Sequence, residues 1–277
     1  MNMSKSEFAV KSSSLSWPDG LKGAIPLQVV VPVVATIGAL LIGLLIIAIT
    51  GGSVSEAVEA FWDGMAGSSF NIGSSLNRAI SLGLVGLGFI FANRANLTNV
   101  GGEGQIAIGG MFATAMALHG AGSLPFGLAF IVPLFVGALA GGCWGALAGV
   151  LKAKRNTNEV ISTLLLVYIA YQVVFYAVTQ PWLLQESGQN VASPQSDIIR
   201  NDAWLPRIGE YPGLNFSSLV VIAVLLAVGA RIVLNRTTWG FRLRMLGLNP
   251  KAARRAGVSA VLLGSLALMI SGAFAGF

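Results

Sequence analysis

The chain has 277 residues, 55% of them hydrophobic and only 10% charged, with a formal net charge of +6. Soluble domains carry about 25% charged residues, so this composition and a mean hydropathy of +0.76 exclude a soluble protein and imply a polytopic membrane protein. A basic balance means nucleic acid only when it clusters on one soluble face, so no nucleic-acid partner is expected. One cysteine and one histidine, Cys143 and His119, leave no disulfide framework and no metal centre.

In chain order, residues 1–26 are polar and Ser-rich, and the apolar run after them has no small-residue cleavage pattern. This predicts a retained first span over residues 25–50 rather than a signal peptide. Residues 51–77 carry Glu56, Glu59 and Asp63 near Phe61 and Trp62, and read as a short amphipathic helix lying at an interface. Spans 2 and 3 are predicted over 79–93 and 105–118, both shorter than the roughly 20 residues a crossing needs. Between them lies NRANLTNVGGEGQIAIGG, residues 93–110. Helix breaks survive in a bilayer only beside protein or water, and glycine-interrupted segments in transporters mark the substrate path. A plain turn with Glu103 solvated is the other reading of this stretch.

Span 4, residues 126–151, contains Gly137, Gly141, Gly145 and Gly149, four apart on one helical face. Small residues so spaced form an association surface. A basic loop follows, in which Asn156 with Glu159 three residues later reads as a helix-start capping pattern ahead of span 5, residues 160–178. The loop 181–216, with Pro181, Pro194, Pro206 and Pro212, is long enough to be functional. Span 6 covers 217–234, a basic segment 235–257, and span 7 258–277. The last run is apolar and unflanked, and an odd span count suits a chain that continues beyond Phe277, because transporter repeats pair their helices.

An amino terminus in the cytosol places every Lys and Arg there except Arg78, Arg200 and Arg207. Basic bias in short loops sets orientation, so loop 181–216 is expected outside.

Two patterns carry possible chemistry. In GLNPKAARRAGVS, Asn249 suits a cap, Pro250 the first helical position and Gly257 a left-handed stop. That predicts a helix over residues 250–256, with Lys251, Arg254 and Arg255 sharing a face. A basic helix drawn to anionic lipid is one reading, a docking element the other. On span 5, Tyr168, Tyr171, Gln172, Phe175 and Thr179 recur at helical spacing; the stripe suits a sugar or a base, or plain core packing. Gly102, Gly104 and Ala107 satisfy a dinucleotide-binding spacing, but no strand precedes them to give it meaning. No phosphate-binding loop, metal-ligand cluster or nucleophile with a histidine partner is present, so no enzymatic activity and no cofactor are expected.

Taken together, FANRANLTNVGGEGQ, NTNEVISTLLLVYIA and GLNPKAARRAGVS resemble the permease subunits of ABC importers for nucleosides and simple sugars, relatives of the ribose and branched-chain amino-acid permeases. The resemblance covers nearly the whole chain. It matches Asn99, Gly101, Glu103, Gly104 and Gln105 to one family element, and Asn158, Glu159, Ser162 and Thr163 to a second. It matches Asn249, Pro250, Ala252, Ala253 and Gly257 to the segment that docks on the ATPase. Three departures stand out: the family usually has glycine at Asn96, phenylalanine at Thr98 and asparagine at Val167.

The resulting expectation is an all-α polytopic transmembrane bundle with broken central helices, forming a single permease domain over 1–277. Its substrate path would use Asn99, Gly101, Glu103, Gly104, Gln105, Tyr168, Gln172 and Phe175, and its coupling element Asn249, Pro250, Ala252, Ala253, Arg254 and Gly257. The resemblance implies a bacterial inner-membrane location, a cytosolic ATP-binding subunit, a second permease subunit and an extracytoplasmic substrate-binding protein. An ion-coupled secondary transporter is the alternative, and the scarcity of intramembrane ionisable residues, only Glu103 and Glu159, speaks against it. A membrane scaffold would leave the glycine break unexplained.

Overall fold

The computed structural model describes residues 27–120, 124–125, 127–188, 194–207 and 217–277. All regular structure among them is helical, apart from one isolated antiparallel bridge between Arg207 and Ser217. The chain divides into two compact units between Gly64 and Met65. The first holds α1, Leu27–Ile49, apolar on every side, and most of α2, Val54–Ala66.

The second unit contains α3 (Ser69–Arg94), α4 (Gly102–His119), α5 (Leu128–Arg155), α6 (Glu159–Thr179), α7 (Leu219–Arg236), α8 (Thr238–Leu248), α9 (Pro250–Arg255) and α10 (Ala260–Gly276). Five described helices, α1, α3, α5, α6 and α7, are long and apolar enough to cross a membrane. The chain is therefore polytopic, and the second unit is an all-α bundle. α4 is not among the five, and α10 is shorter still.

Span 2 differs from expectation. Instead of starting near residue 79, α3 begins at Ser69, whose predecessor Ser68 caps it by accepting from the Asn71 N–H at 3.1 Å. The interfacial helix accordingly stops at Ala66. Polar residues in the first turns of α3 lower its hydropathy, yet they have partners: the Ser75 hydroxyl donates to the Met65 carbonyl, and the Asn77 side chain accepts from the Ser217 N–H. α3 is therefore full length, and the break belongs to the start of α4.

α10 lies against α5, α3 and α4, and α4 against α5 and α6. Lipid tails are as apolar as leucine, so helices associate in a bilayer through close van der Waals packing and not by expelling water. The glycine ridge of α5 provides that contact. A Cβ on Gly137 would sit 2.6 Å from the Gly276 carbonyl oxygen, one on Gly141 2.6 Å from that of Gly272, and one on Gly145 2.5 Å from that of Leu268. Only hydrogen at these positions lets α5 and α10 touch backbone to backbone. Beside this seam Phe91 stacks on Phe274 at 5.5 Å and meets Trp239 at 6.0 Å, joining α3, α8 and α10.

At one end of this unit the loop after α6 is held down locally. His119 Nε2 lies 3.0 Å from the Leu183 carbonyl, and Leu184 is buried. The Ser187 N–H and hydroxyl both donate to Asp197 at 2.8 Å. Those two bonds hold the Asp197 carboxyl below its ordinary value. A lowered folded value means the contact contributes fully above the ordinary carboxyl range and is lost as pH falls through the lowered value. Amide exchange at Ser187 is expected to stay slow through neutral and mildly acidic pH and to accelerate only in strong acid; faster exchange already at mildly acidic pH would contradict the pairing.

Candidate functional site

Three groups of expected site residues end up in different surroundings. The first is a buried polar knot where the chain re-enters the bundle. Residues 95–101 are non-helical, with Ala95, Leu97, Asn99 and Gly101 buried. Most of their backbone N–H groups find protein partners, as buried irregular backbone requires. The N–H groups of Ala95 and Leu97 donate to the Ala92 carbonyl, that of Asn96 to Asn93, that of Val100 to the Thr163 hydroxyl and that of Gly101 to Asn99 Oδ1. Asn99 Nδ2 donates to Gln105 Oε1 at 2.9 Å and to the Ser271 hydroxyl at 2.8 Å, while Gln105 Nε2 returns a bond to Asn99 Oδ1 at 3.1 Å. Gly101 and Gly104 press on α6, where an added Cβ would lie 2.9 Å from the Thr163 carbonyl oxygen and 2.8 Å from Val167 Cα.

Two departures from the family pattern acquire physical meaning here. Asn96 has φ 57°, a left-handed conformation that glycine and asparagine both tolerate. Val167 is buried against Gly104, a packing position.

The second group faces outward. Glu103 is exposed and accepts from the Tyr171 hydroxyl at 3.2 Å. Tyr168 and Phe175 lie three and four residues from Tyr171 on α6, Gln172 is next to it, and all three are exposed too, Tyr168 at 65%. The opposite side of α6, through Thr163, Val167, Ala170 and Ala177, is the buried one. The stripe is therefore not core packing within this chain. Sequence spacing alone left out the Tyr171 link to Glu103, which joins α4 to the stripe from 68 residues away.

At the α5–α6 corner the capping expectation is corrected. Asn158, not Asn156, starts α6, accepting from the Val160 N–H at 2.9 Å, whereas Asn156 closes α5 in the left-handed conformation at φ 52°. Lys152 pairs with Glu159 across the corner, and the Glu159 carboxylate also faces the Thr98 backbone amide. A carboxylate in the first turn of α6 is further favoured by the helix dipole.

The third group is the basic segment, which contains an additional helix. Thr237 caps α8 by accepting from the Gly240 N–H at 3.1 Å, and Leu243 and Leu246 on α8 are buried. Trp239, Leu243 and Leu246 at helical spacing carry the signal for it. Arg244 donates to the Leu234 carbonyl at the end of α7. α9 then follows directly. The Asn249 side chain accepts from the Ala252 N–H at 3.1 Å, Pro250 takes the first position, and Gly257 adopts φ 79°. Gly257 N–H donates to the Arg254 carbonyl and Val258 N–H to that of Ala253, the paired pattern of a Schellman stop. The helix ends at Arg255, with Ala256 as its cap. Of the expected coupling residues Ala253 is 0% exposed and packs into the core with Leu243 and Leu246, while Ala252, Arg254 and Gly257, with the neighbouring Ala256, are exposed.

Among the described residues no His, Cys, Asp and Glu group is arranged to hold a metal ion. The family described as "Branched-chain amino acid transport system / permease component" matches residues 71–277. The guanosine ABC transporter permease protein NupP of Bacillus subtilis is 32% identical over 90% of this chain and 70% of its own length. The glucose ABC transporter permease protein TsgB13 of Haloferax volcanii is 30% identical over 88% and 65%, and the nucleoside ABC transporter permease protein NupB of Lactococcus lactis 28% over 90% and 69%. The chain thus spans about two thirds of the length of these relatives. No solved structure matches it. With its apolar crossing helices, re-entrant break and doubly capped basic helix, the chain belongs to the branched-chain amino acid transport system permease component family and is a multi-pass membrane permease.

Proposed function

We propose that the chain forms one half of the translocation path of an ATP-driven nucleoside importer, with its amino terminus in the cytosol of a bacterial inner membrane. The observation that carries this reading is the open face of Glu103, Tyr168, Tyr171, Gln172 and Phe175. Aromatic rings at 48–65% exposure on a membrane-spanning helix, beside a carboxylate, suit a base that stacks and a ribose whose hydroxyls donate hydrogen bonds. A second permease subunit would face the stripe and enclose the path. The buried knot of Asn99, Gly101, Gly104 and Gln105 then serves as the rigid support of that path. A simple sugar is the second reading, favoured by the glucose permease relative; it uses the carboxylate and amide but gains less from the rings.

In this reading ATP is hydrolysed on a separate cytosolic subunit, a substrate-binding protein delivers from the other side, and α9 couples the two. The placement of basic residues supports this: Lys152 and Arg254 lie with α8 and α9 at one end of the bundle, whereas the long loop after α6 carries Glu186 and Asp197 along with Arg200 and Arg207. α9 has the form of a short lever, pinned by Ala253 and bearing Ala252, Arg255 and Ala256 outward.

Uptake of guanosine and of glucose by the chain assembled with its ATPase and binding protein tests the path. Tyr168→Ala and Glu103→Gln should each lower guanosine uptake about tenfold, the order of one lost base stack or charge-assisted hydrogen bond. Unchanged uptake in both variants would refute the open-face path. For coupling, Ala252→Trp is expected to leave the chain folded and to abolish transport while the ATPase still turns over. Ala253→Trp should instead destabilise the chain itself. Full transport with tryptophan at both Ala252 and Ala256 would remove α9 from the coupling role.

A further inference from the structure

A cavity of about 340 Å³ lies where the ends of α3, α5 and α8 meet α9 and the start of α10. That volume is within the range of small-ligand sites. Among the described residues its polar lining consists of Asn96, Lys152, Asn156, Arg254 and Ser265, with no carboxylate. On one wall of the cavity α5 and α10 touch: a Cβ on Gly149 would stand 2.7 Å from Ser265 Cα.

Several features place donors along this lining. Arg254 is carried on a helix fixed at both ends and anchored by the neighbouring buried Ala253, and it has no ion-pair partner among the described residues. Lys152 keeps 36% side-chain exposure while its one partner, Glu159, lies outside the lining. Both asparagines are turned by left-handed backbone at φ 57° and 52°. Pro250, Leu246, Val261 and Leu268 supply an apolar part of the wall.

We propose that this cavity binds a phosphate-bearing anion whose phosphate is held by Arg254 and Lys152 and whose apolar portion rests on Leu246 and Val261. A guanidinium and an ammonium with converging amide and hydroxyl donors match phosphate oxygens, and basic pockets between membrane helices hold lipid headgroups in this way. The site regulates by position: a ligand seated there bridges α9 to α5 and α10 and stiffens the lever. Binding to the chain is independent of the identity of the transported solute, so failure of the nucleoside reading leaves this site in place.

The test uses the purified full chain, with thermal unfolding and native mass spectrometry as readouts. The probes are inorganic phosphate against chloride at equal ionic strength, and phosphatidylcholine nanodiscs with or without phosphatidylglycerol. Saturable stabilisation by phosphate identifies a free phosphate source, and retention of phosphatidylglycerol without a phosphate effect identifies a headgroup; either supports the site. Arg254→Gln should weaken the responding probe about tenfold, the loss expected for one charge-assisted hydrogen bond. Val261→Trp, which fills the cavity without changing charge, should do the same. Arg255→Gln removes the same charge one residue away, outside the lining, and should change affinity by less than about twofold. Equal weakening by Arg254→Gln and Arg255→Gln, or no saturable binding of either probe, overturns the proposal.

Discussion

Gly141→Leu is expected to abolish assembly of the α5–α10 pair. Overpacking of a core usually costs about 1–3 kcal/mol because side chains shift to make room. At Gly141 the obstacle is backbone: an added Cβ lies 2.6 Å from the Gly272 carbonyl oxygen and 2.8 Å from Gly276 Cα. Neither atom can rotate away, so relief requires moving α10 as a whole and breaking the seam along Gly137, Gly145 and Gly149. The loss is placed at about 3 kcal/mol or more. Gly110→Leu on α4 is the control, since a Cβ there meets nothing within 4 Å and leucine is a better helix former than glycine. Size-exclusion profiles and unfolding in a denaturing detergent would separate the two. A Gly141→Leu chain as monodisperse and as resistant as the parent would show that the seam is not a structural requirement.

Asn99→Leu carries the second large effect. Asn99 is buried and makes four hydrogen bonds, two with Gln105, one to Ser271 and one from the Gly101 N–H. Interhelical hydrogen bonds in membrane proteins average about 0.6 kcal/mol each, but orphaning a buried polar group costs about 1–3 kcal/mol. Here the Gln105 amide, the Ser271 hydroxyl and the Gly101 amide are all left without Asn99. The expected destabilisation is about 2–5 kcal/mol, accompanied by loss of the fixed path of residues 95–101. Thr163→Val removes the acceptor of the Val100 N–H and a hydroxyl that donates back to the Glu159 and Val160 carbonyls of its own helix, and should cost about 1 kcal/mol. Equal effects of the two substitutions would mean that the knot does not act as a unit.

What was readable from the chain alone follows the range of the interactions involved. The composition decided the class, since 10% charge leaves too little polar surface for water on all sides. The ends of α9 were legible because capping is local: Asn249, Pro250 and Gly257 act on groups within a few residues. The glycine spacing of α5 announced a close contact for the same reason, periodicity being a property of one helix. The break ahead of α4 was likewise visible in GGEG.

Other features were decided only by tertiary structure. The start of α3 was obscured because Asn71, Ser75 and Asn77 lower its hydropathy, and the Asn77 partner, Ser217, is 140 residues away. α10 became the partner of the α5 ridge through Gly272 and Gly276, and Ser271 joined the knot with Asn99 across 172 residues. Ala253 turned inward because α8, with its own buried Leu243 and Leu246, fills the space beneath α9. Local chemistry thus determined where helices stop and which faces carry small or aromatic residues. Which of those faces meet was set by backbone approach and by the need of buried polar groups for partners, and both depend on residues far apart in the chain.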